Sequence, residues 1–336
     1  MVGLGGPSAG SGRADVVGQR APLNAARGAE AANHPGRAHA DIARHLGGQS
    51  WLLAGADQRV GVVRVQGLRL EARAVNDEDR VPGIAELDES DPRVGAWTQA
   101  RASNPALHDG PIWSVDSAAL ESDSVLEVVL RPDRYWRLAL GAREPEVAAV
   151  RLLGGKACIV GNDRNSRPHV LIARRAHWVR VYAGQWEVCP AGGVDVGQDV
   201  LEGERRPAAG MTKGLPTAIL RTLDREMREE LALERADRLM DEQVIAAAFD
   251  DHAASMDVII GAMWRGVIDP RRGLCASSAC GPGGAGESEY SDLAWVARDE
   301  LPGFVRNHAA AISAVTRAVW LALGWIEEAD AGAVKS

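Results

Sequence analysis

Residues 217–233 alternate between apolar and polar side chains with the period of an α-helix. At about 100° per residue, one side of that helix is apolar and holds Leu220, Leu223, Met227 and Leu231. A second side is acidic and holds, within an arc of roughly 100°, Glu226, Glu229 and Glu230. The pattern therefore predicts an amphipathic helix that carries three carboxylates on one face.

Short apolar runs on either side of this helix are typical of strands. The runs that predict β structure are residues 60–74, 112–115, 124–130, 147–150, 157–161, 170–175, 179–184 and 256–264. Residues 134–140 predict a short helix, and residues 305–325 predict one amphipathic helix. This mixture of elements predicts an α+β fold.

Composition divides the chain into three predicted parts. Residues 1–50 are rich in Ala, Gly and Arg and hold few large apolar side chains, so we expect them to be disordered. Residues 55–145 predict a small α+β region of undefined role. Residues 148–325 predict a second domain, which contains the acidic helix.

The bulk properties exclude several classes of protein. A net charge of −8 and a pI of about 5.6 argue against a nucleic-acid-binding protein. The chain has no apolar run long enough to span a membrane and no signal-peptide core at its start. Four cysteines without C-x-x-C spacing favour reduced thiols: Cys158, Cys189, Cys275 and Cys280. We therefore expect a cytoplasmic protein.

The acidic face of the helix allows two interpretations. Like charges at these spacings repel by about 0.2–0.5 kcal/mol per pair, and a bound dication would convert that repulsion into ligation because hard cations prefer carboxylate oxygens. The alternative is an acidic face that is simply solvated. The sequence around the helix distinguishes between them.

That surrounding sequence resembles the Nudix hydrolase family over roughly residues 148–325. A strand ending in Arg174 and Arg175 is followed by a G-x-W-E-x-x-P-x-G-G-x-D-x-G segment at residues 184–197 and then by R-E-M-R-E-E at residues 225–230. The family pattern is G-x5-E-x7-R-E-U-x-E-E-x-G-U, where U is bulky and apolar. The resemblance implies a Nudix-type α/β/α sandwich with a mixed sheet.

Three departures from the family pattern affect the loop more than the helix. Gln198 stands where the family has its first glutamate, and Ala232 stands where it has a glycine. In this chain 26 residues, rather than seven, separate Gln198 from Arg225, so residues 200–210 predict an inserted loop. The helical glutamates are retained.

The resemblance implies a role for each matching residue. Glu226, Glu229 and Glu230 would bind Mg²⁺ or Mn²⁺, and Glu229 and Glu230 would also take part in catalysis. Gly192 and Gly193 would let the backbone pass close to the site, and Arg225 would anchor that loop. Arg174 and Arg175 would contact phosphate. The general base would be Glu289 or, on the same loop, Glu287.

The function implied is hydrolysis of a pyrophosphate bond in a nucleoside diphosphate linked to a second group. The segment N-P-A-L-H-D-G-P at residues 104–111 resembles an element of Nudix enzymes that act on nucleotide sugars, although His108 is also typical of a turn. The expected partner is a small nucleotide, and a homodimer is left open. Two alternatives are a catalytically weak Nudix module that senses a nucleotide metabolite, and an isoprenoid diphosphate isomerase.

Overall fold

The structure is a computed structural model. It describes residues 50–54, 59–73, 80–105, 107–121, 124–141, 150–194, 196, 217–271, 289–331 and 333–335. The inserted loop at residues 200–210, Gln198, Glu287, Cys275, Cys280 and the N-terminal stretch to residue 49 lie outside these ranges. The predictions made for them stay predictions.

Strands and short helices alternate along the described chain. The strands are β1 (Ser50–Ala54), β2 (Arg59–Arg64), β3 (Gly67–Ala72), β4 (Pro111–Leu120), β5 (Val125–Arg134), β6 (Leu152–Asn162), β7 (Pro168–Arg175), β8 (Trp186–Val188), β9 (Ala191–Gly193), β10 (Leu239–Asp250), β11 (Ser255–Val267), β12 (Tyr290–Ala297) and β13 (Ala333–Lys335). The α-helices are α1 (Pro92–Ser103), α2 (Tyr135–Gly141), α3 (Thr217–Leu231), α4 (Arg235–Arg238), α5 (Leu301–His308), α6 (Ala314–Ala322) and α7 (Glu328–Ala331).

These strands form one mixed sheet, whose main path runs β13-β1-β2-β10-β11-β6-β4-β5-β3. The β11–β6 and β3–β5 pairs are parallel, whereas the other pairs are antiparallel. Strand β7 pairs with only the last residues of β6 and then carries β8 and β12. Strand β9 pairs instead with residues 154–156 of β6. The sheet therefore divides at β6, with β7 on one part of this strand and β9 on another.

Helices cover both faces of this sheet. Ile219, Leu223 and Met227 of α3 join the apolar cluster on one face. Val315, Val319 and Trp320 of α6 join the cluster on the other face, together with residues of α5. The predicted α+β fold class, with a mixed sheet between helical layers, is confirmed.

A separate small core lies among residues that precede β6. Trp97 of α1 packs with Trp136 and Leu140 of α2, and the indole N–H of Trp136 donates to the Pro82 carbonyl at 3.0 Å. Strands from this part of the chain nevertheless belong to the common sheet, since β2 pairs with β10 and β4 pairs with β6. The domain boundary between residues 145 and 148 stays a prediction.

Two sequence predictions of local structure are wrong. The single helix expected at residues 305–325 is two helices, α5 and α6, because Ser313 between them caps α6 by accepting a hydrogen bond from the Thr316 amide. The Ser313 amide also donates to the Trp186 carbonyl at 2.9 Å, which fixes the break against β8. Residues 179–184 form bends and turns rather than β structure.

Two further observations bear on the expected class of protein. None of the helices in the described ranges has the length and apolarity that a membrane crossing requires. Cys158 and Cys189, which lie within those ranges, are free and buried, in line with the expectation of reduced thiols.

Candidate active site

Helix α3 turns two of its three glutamates toward the protein interior. Glu226 and Glu230 are 8% and 5% exposed, on the same side as Met227. Glu229 lies on the outer side, and its side chain is 63% exposed. The acidic face predicted from the sequence is therefore only partly buried, with two carboxylates in the protein interior and one exposed to solvent.

The double glycine of β9 lies directly against this helix. A Cβ atom at position 192 would overlap the carboxylate of Glu226, so only glycine fits there. Gly192 and Gly193 pair with Gly155 and Gly154 of β6. Arg225 completes the contact, since its Nη2 donates to the Gly193 carbonyl at 3.0 Å and to Glu226 Oε1 at 2.5 Å. Both contacts are what an anchoring role for Arg225 requires, and that role stays a prediction.

Glu230 is a buried carboxylate that accepts no hydrogen bond from the described residues. Neither of its carboxylate oxygens has a hydrogen bond within the described residues. Burial raises its pKa well above the usual value, and the charges of Glu226 and Glu289 raise it further. Burial also raises the pKa of Glu226, partly offset by Arg225 and reinforced by Glu289 and Glu229. The glutamates of this region therefore repel one another, as their spacing predicts.

The described residues do not form a completed metal site. No group of three or more His, Cys, Asp or Glu side chains within the described ranges is placed to hold a metal ion. Glu229 interacts with Arg225 Nε at 3.8 Å. Glu289, the predicted general base, accepts a hydrogen bond from Arg175 Nη2 at 3.0 Å, and its side chain is 47% exposed.

The two arginines at the end of β7 have different surroundings. Arg174 Nε donates to the Gly184 carbonyl at 3.0 Å, which ties the following turn together. Arg175 Nη1 donates to Glu187 at 2.6 Å. Glu187 is also bound by Lys156 Nζ at 2.8 Å. Burial alone would raise the pKa of Glu187, but Lys156 and Arg175 lower it to about 2.

A cavity of about 530 Å³ connects these groups. Its wall includes both β9 glycines and five residues with predicted roles, namely Arg175, Arg225, Glu226, Glu229 and Glu289. Glu230 is not part of this wall, although the charges of two of its residues, Glu226 and Glu289, raise the pKa of Glu230. The cavity also receives Lys156, Glu187 and Asp257 from the strands. Its volume falls within the range of sites for small molecules, about 300–1,000 Å³.

Sequence reasoning missed Lys156 and Asp257 as cavity residues. Each is a lone ionisable residue within an apolar strand, which is a usable signal because such residues are almost never buried without a partner. It also missed Tyr135 and read His108 as a turn residue, whereas both line the cavity.

Comparison with known proteins gives a distant likeness. No family model and no curated protein matches the sequence. Solved structures similar to part of the chain include a Nudix hydrolase from M. smegmatis, RenU, at 16% identity, with 52% of this chain and 84% of that chain covered and a TM-score of 0.29. A NUDIX hydrolase from Alicyclobacillus acidocaldarius gives 14% identity, coverage of 50% and 91%, and a TM-score of 0.31.

A third similar structure contains a ligand. It is the NUDIX domain of Shewanella oneidensis NrtR, complexed with ADP ribose, at 14% identity, with 47% of this chain and 80% of that chain covered and a TM-score of 0.25. Likenesses as distant as these three do not assign a family, a substrate or a metal to this chain.

Proposed function

We propose that this chain is a Nudix-type hydrolase that uses Mg²⁺ or Mn²⁺ to cleave a pyrophosphate bond in a nucleoside diphosphate linked to a second group. The observation that carries the proposal is Glu230, a buried carboxylate whose two oxygens have no hydrogen bond in the described part of the chain. Removing a charge from water without compensation is costly, and an adjacent hard cation would compensate it. The donor set around Glu230 fits such a cation, because it consists of mutually repelling carboxylates.

The proposed roles follow the sequence positions. Glu226, Glu229 and Glu230 would hold the cation through carboxylate oxygens, which requires Glu229 to turn inward. When bound, the cation supplies a Lewis acid that polarises phosphate and activates water.

The remaining groups act through their own chemistry. Arg225 holds the β9 glycines against the helix, so that the Glu226 carboxylate lies directly over Gly192. Arg175 keeps a positive charge in the cavity wall, where charge builds up on phosphoryl oxygens. Glu289 is the proposed general base that accepts the proton of the attacking water. The second group is proposed to be a sugar, on the resemblance at residues 104–111.

A second candidate function is a nucleotide-sensing module with little or no hydrolysis. The observation that favours it is the absence, from the described residues, of three side chains placed to hold a metal. The two functions share the cavity and differ in whether the glutamates of α3 bind a cation.

The test combines turnover with metal binding. The purified full chain is incubated with Mg²⁺ or Mn²⁺ and a panel of NDP-sugars, ADP-ribose, dinucleotides and nucleoside triphosphates, with detection of released phosphate. We expect Glu229→Gln and Glu230→Gln to lower the rate by at least about 100-fold, because a catalytic cation is worth several kcal/mol in the transition state. The matched control is Glu89→Gln, at an exposed position remote from the motif.

Thermal unfolding with and without Mn²⁺ gives a readout independent of turnover. Binding to the folded state raises the melting temperature, so we expect a rise for the natural chain and none for Glu230→Gln. Unchanged rates in both variants would rule out the metal assignment. Tight nucleotide binding without hydrolysis of any compound in the panel would instead favour the sensing module.

A further inference from the structure

One end of the cavity is built by residues that precede the Nudix-like motif. Asn104, His108 and Tyr135 line the same cavity as Glu226 and Glu289. Tyr135 begins α2, and its amide donates to the Gly110 carbonyl at 2.9 Å, which joins α2 to the segment that carries His108. The part of the chain whose role the sequence left undefined therefore contributes a wall of the candidate active site.

An aromatic pair forms this wall. The rings of His108 and Tyr135 are stacked, with centroids 5.7 Å apart and an interplanar angle of 3°. Tyr135 also packs in an apolar cluster with Leu152 and Ala254, which places it beside β6 and the start of β11. His108 is exposed, and Tyr135 is half-buried. The pair therefore offers a flat apolar surface to a ligand in the cavity.

Asp257 of β11 lines the same cavity as this pair, and its side chain has no hydrogen bond among the described residues. Its carboxylate packs over Gly154, where a Cβ atom would overlap it, and the residue is 7% exposed. Its one ion-pair partner among the described residues is Lys156 Nζ at 3.9 Å, which Glu187 already binds at 2.8 Å. A carboxylate in a cavity wall without donors of its own can accept hydrogen bonds from a ligand.

The chemistry of that ligand is constrained. A phosphate offers only acceptors and negative charge, so the Asp257 carboxylate disfavours a phosphate beside it. Hydroxyl groups offer donors without charge. A group that combines a flat ring with adjacent hydroxyls satisfies both the aromatic pair and the carboxylate.

We propose that this end of the cavity binds the nucleoside part of the substrate, with the base stacked on the His108–Tyr135 pair and the ribose hydroxyls donating to Asp257. The proposal rests on the proposed function for the substrate being a nucleotide, but it does not depend on hydrolysis. Burial raises the pKa of Asp257 to about 6, against the effect of Lys156, so at pH 7.5 the carboxylate is ionised and accepts hydrogen bonds.

The test is calorimetric binding of ADP, UDP and inorganic pyrophosphate to the full chain in EDTA at pH 7.5. Stacking of a base on an aromatic ring and hydrogen bonds to a charged group each contribute enough for about a tenfold effect. We therefore expect Asp257→Ala and His108→Ala to weaken nucleoside diphosphate binding by about tenfold each and to leave pyrophosphate binding unchanged. The remote control Glu89→Ala should bind as the natural chain does.

Several outcomes would overturn the proposal. One is binding of pyrophosphate as tightly as ADP and UDP by the natural chain. Another is equal weakening of all three ligands by Asp257→Ala. A third is a loss confined to Trp178→Ala, since that 40% exposed ring also lines the cavity. His108 is exposed, so its variant tests the proposal even if Asp257→Ala fails to fold. Selective binding without turnover would support this proposal while the hydrolase assignment fails.

Discussion

Glu187 and Glu230 are buried to nearly the same degree, yet their surroundings are opposite. Glu187 is 1% exposed and is bound by Lys156 and Arg175, so its pKa is about 2 despite burial. Glu230 is 5% exposed and has no hydrogen bond within the described residues, and its pKa is raised well above the usual value. The described residues therefore satisfy the hydrogen-bonding capacity of Glu187 but not that of Glu230.

The difference distinguishes two groups of charged residues, one around Glu187 and one at the end of α3. The Glu187 cluster fixes the ends of β6, β7 and β8 relative to one another, because each of its three charges comes from a different strand. The end of α3 instead retains unfavourable electrostatics, which persist only where the surrounding structure enforces them. Unfavourable features of this kind concentrate at functional sites.

The largest expected effect contrasts the two glutamates directly. We expect Glu187→Gln to lower the free energy of unfolding by about 3–5 kcal/mol, because it removes the buried charge that binds both Lys156 and Arg175. Glu230→Gln should leave that free energy unchanged or raise it, because it removes a carboxylate whose ionisation is opposed by burial. Urea unfolding at pH 7.5 in EDTA measures both values. Equal losses of unfolding free energy in the two variants would contradict the proposed difference between Glu187 and Glu230.

Asp257 has surroundings intermediate between those of the two glutamates, since it has one distant ion-pair partner among the described residues. We therefore expect its contribution to stability to depend on pH. Its pKa rises from 3.8 to about 6, mainly through burial. A raised folded-state pKa gives stability that is fully present below pH 3.8 and is lost as the pH rises through 6. This rise corresponds to about 3 kcal/mol. Glu187, with its lowered pKa, has the opposite sign, because its contribution is present above pH 4.5 and is lost as the pH falls toward 2.

The measurement is the free energy of unfolding of the natural chain minus that of Asp257→Asn, in EDTA, between pH 4 and pH 8. We expect the difference to decline by about 3 kcal/mol as the pH rises across this range. Comparison with Asp257→Asn cancels the titration of the other groups. A flat difference would show that Asp257 titrates in the folded chain as it does in the unfolded one.

The sequence predicted the elements whose apolar pattern is local. Helix α3 lies at Thr217–Leu231 as its period indicated, and β11 contains the expected strand. It missed β10, whose sequence ends in an alanine-rich run that favours a helix. That strand is set by pairing with β2 and β11, and β2 is remote along the chain. It also missed α1, which has few large apolar residues.

In the candidate site, too, contacts between residues distant along the chain could not be predicted from local sequence patterns. The contact between Glu226 and Gly192 was foreseeable from the motif, because the glycines and the helix occur together in the family pattern. The Lys156–Glu187 pair joins residues 31 positions apart on different strands, and no local periodicity predicts such a pair. Asp257 became a site residue only because β11 lies beside Gly154 of β6.

The smallest expected effect concerns the backbone next to Glu230. Helix α3 is followed by Ala232 at φ 52°, a left-handed conformation, where the family pattern has glycine. That conformation costs a non-glycine residue about 1–2 kcal/mol, and part of the gain is lost to the freer unfolded chain. Ala232→Gly should therefore raise the free energy of unfolding by about 0.5–1 kcal/mol. The exposed helical control, Ala102→Gly in α1, should lower it by up to about 1 kcal/mol. A loss in both variants would show that the end of α3 is unstrained, leaving Glu230 as its one unfavourable feature.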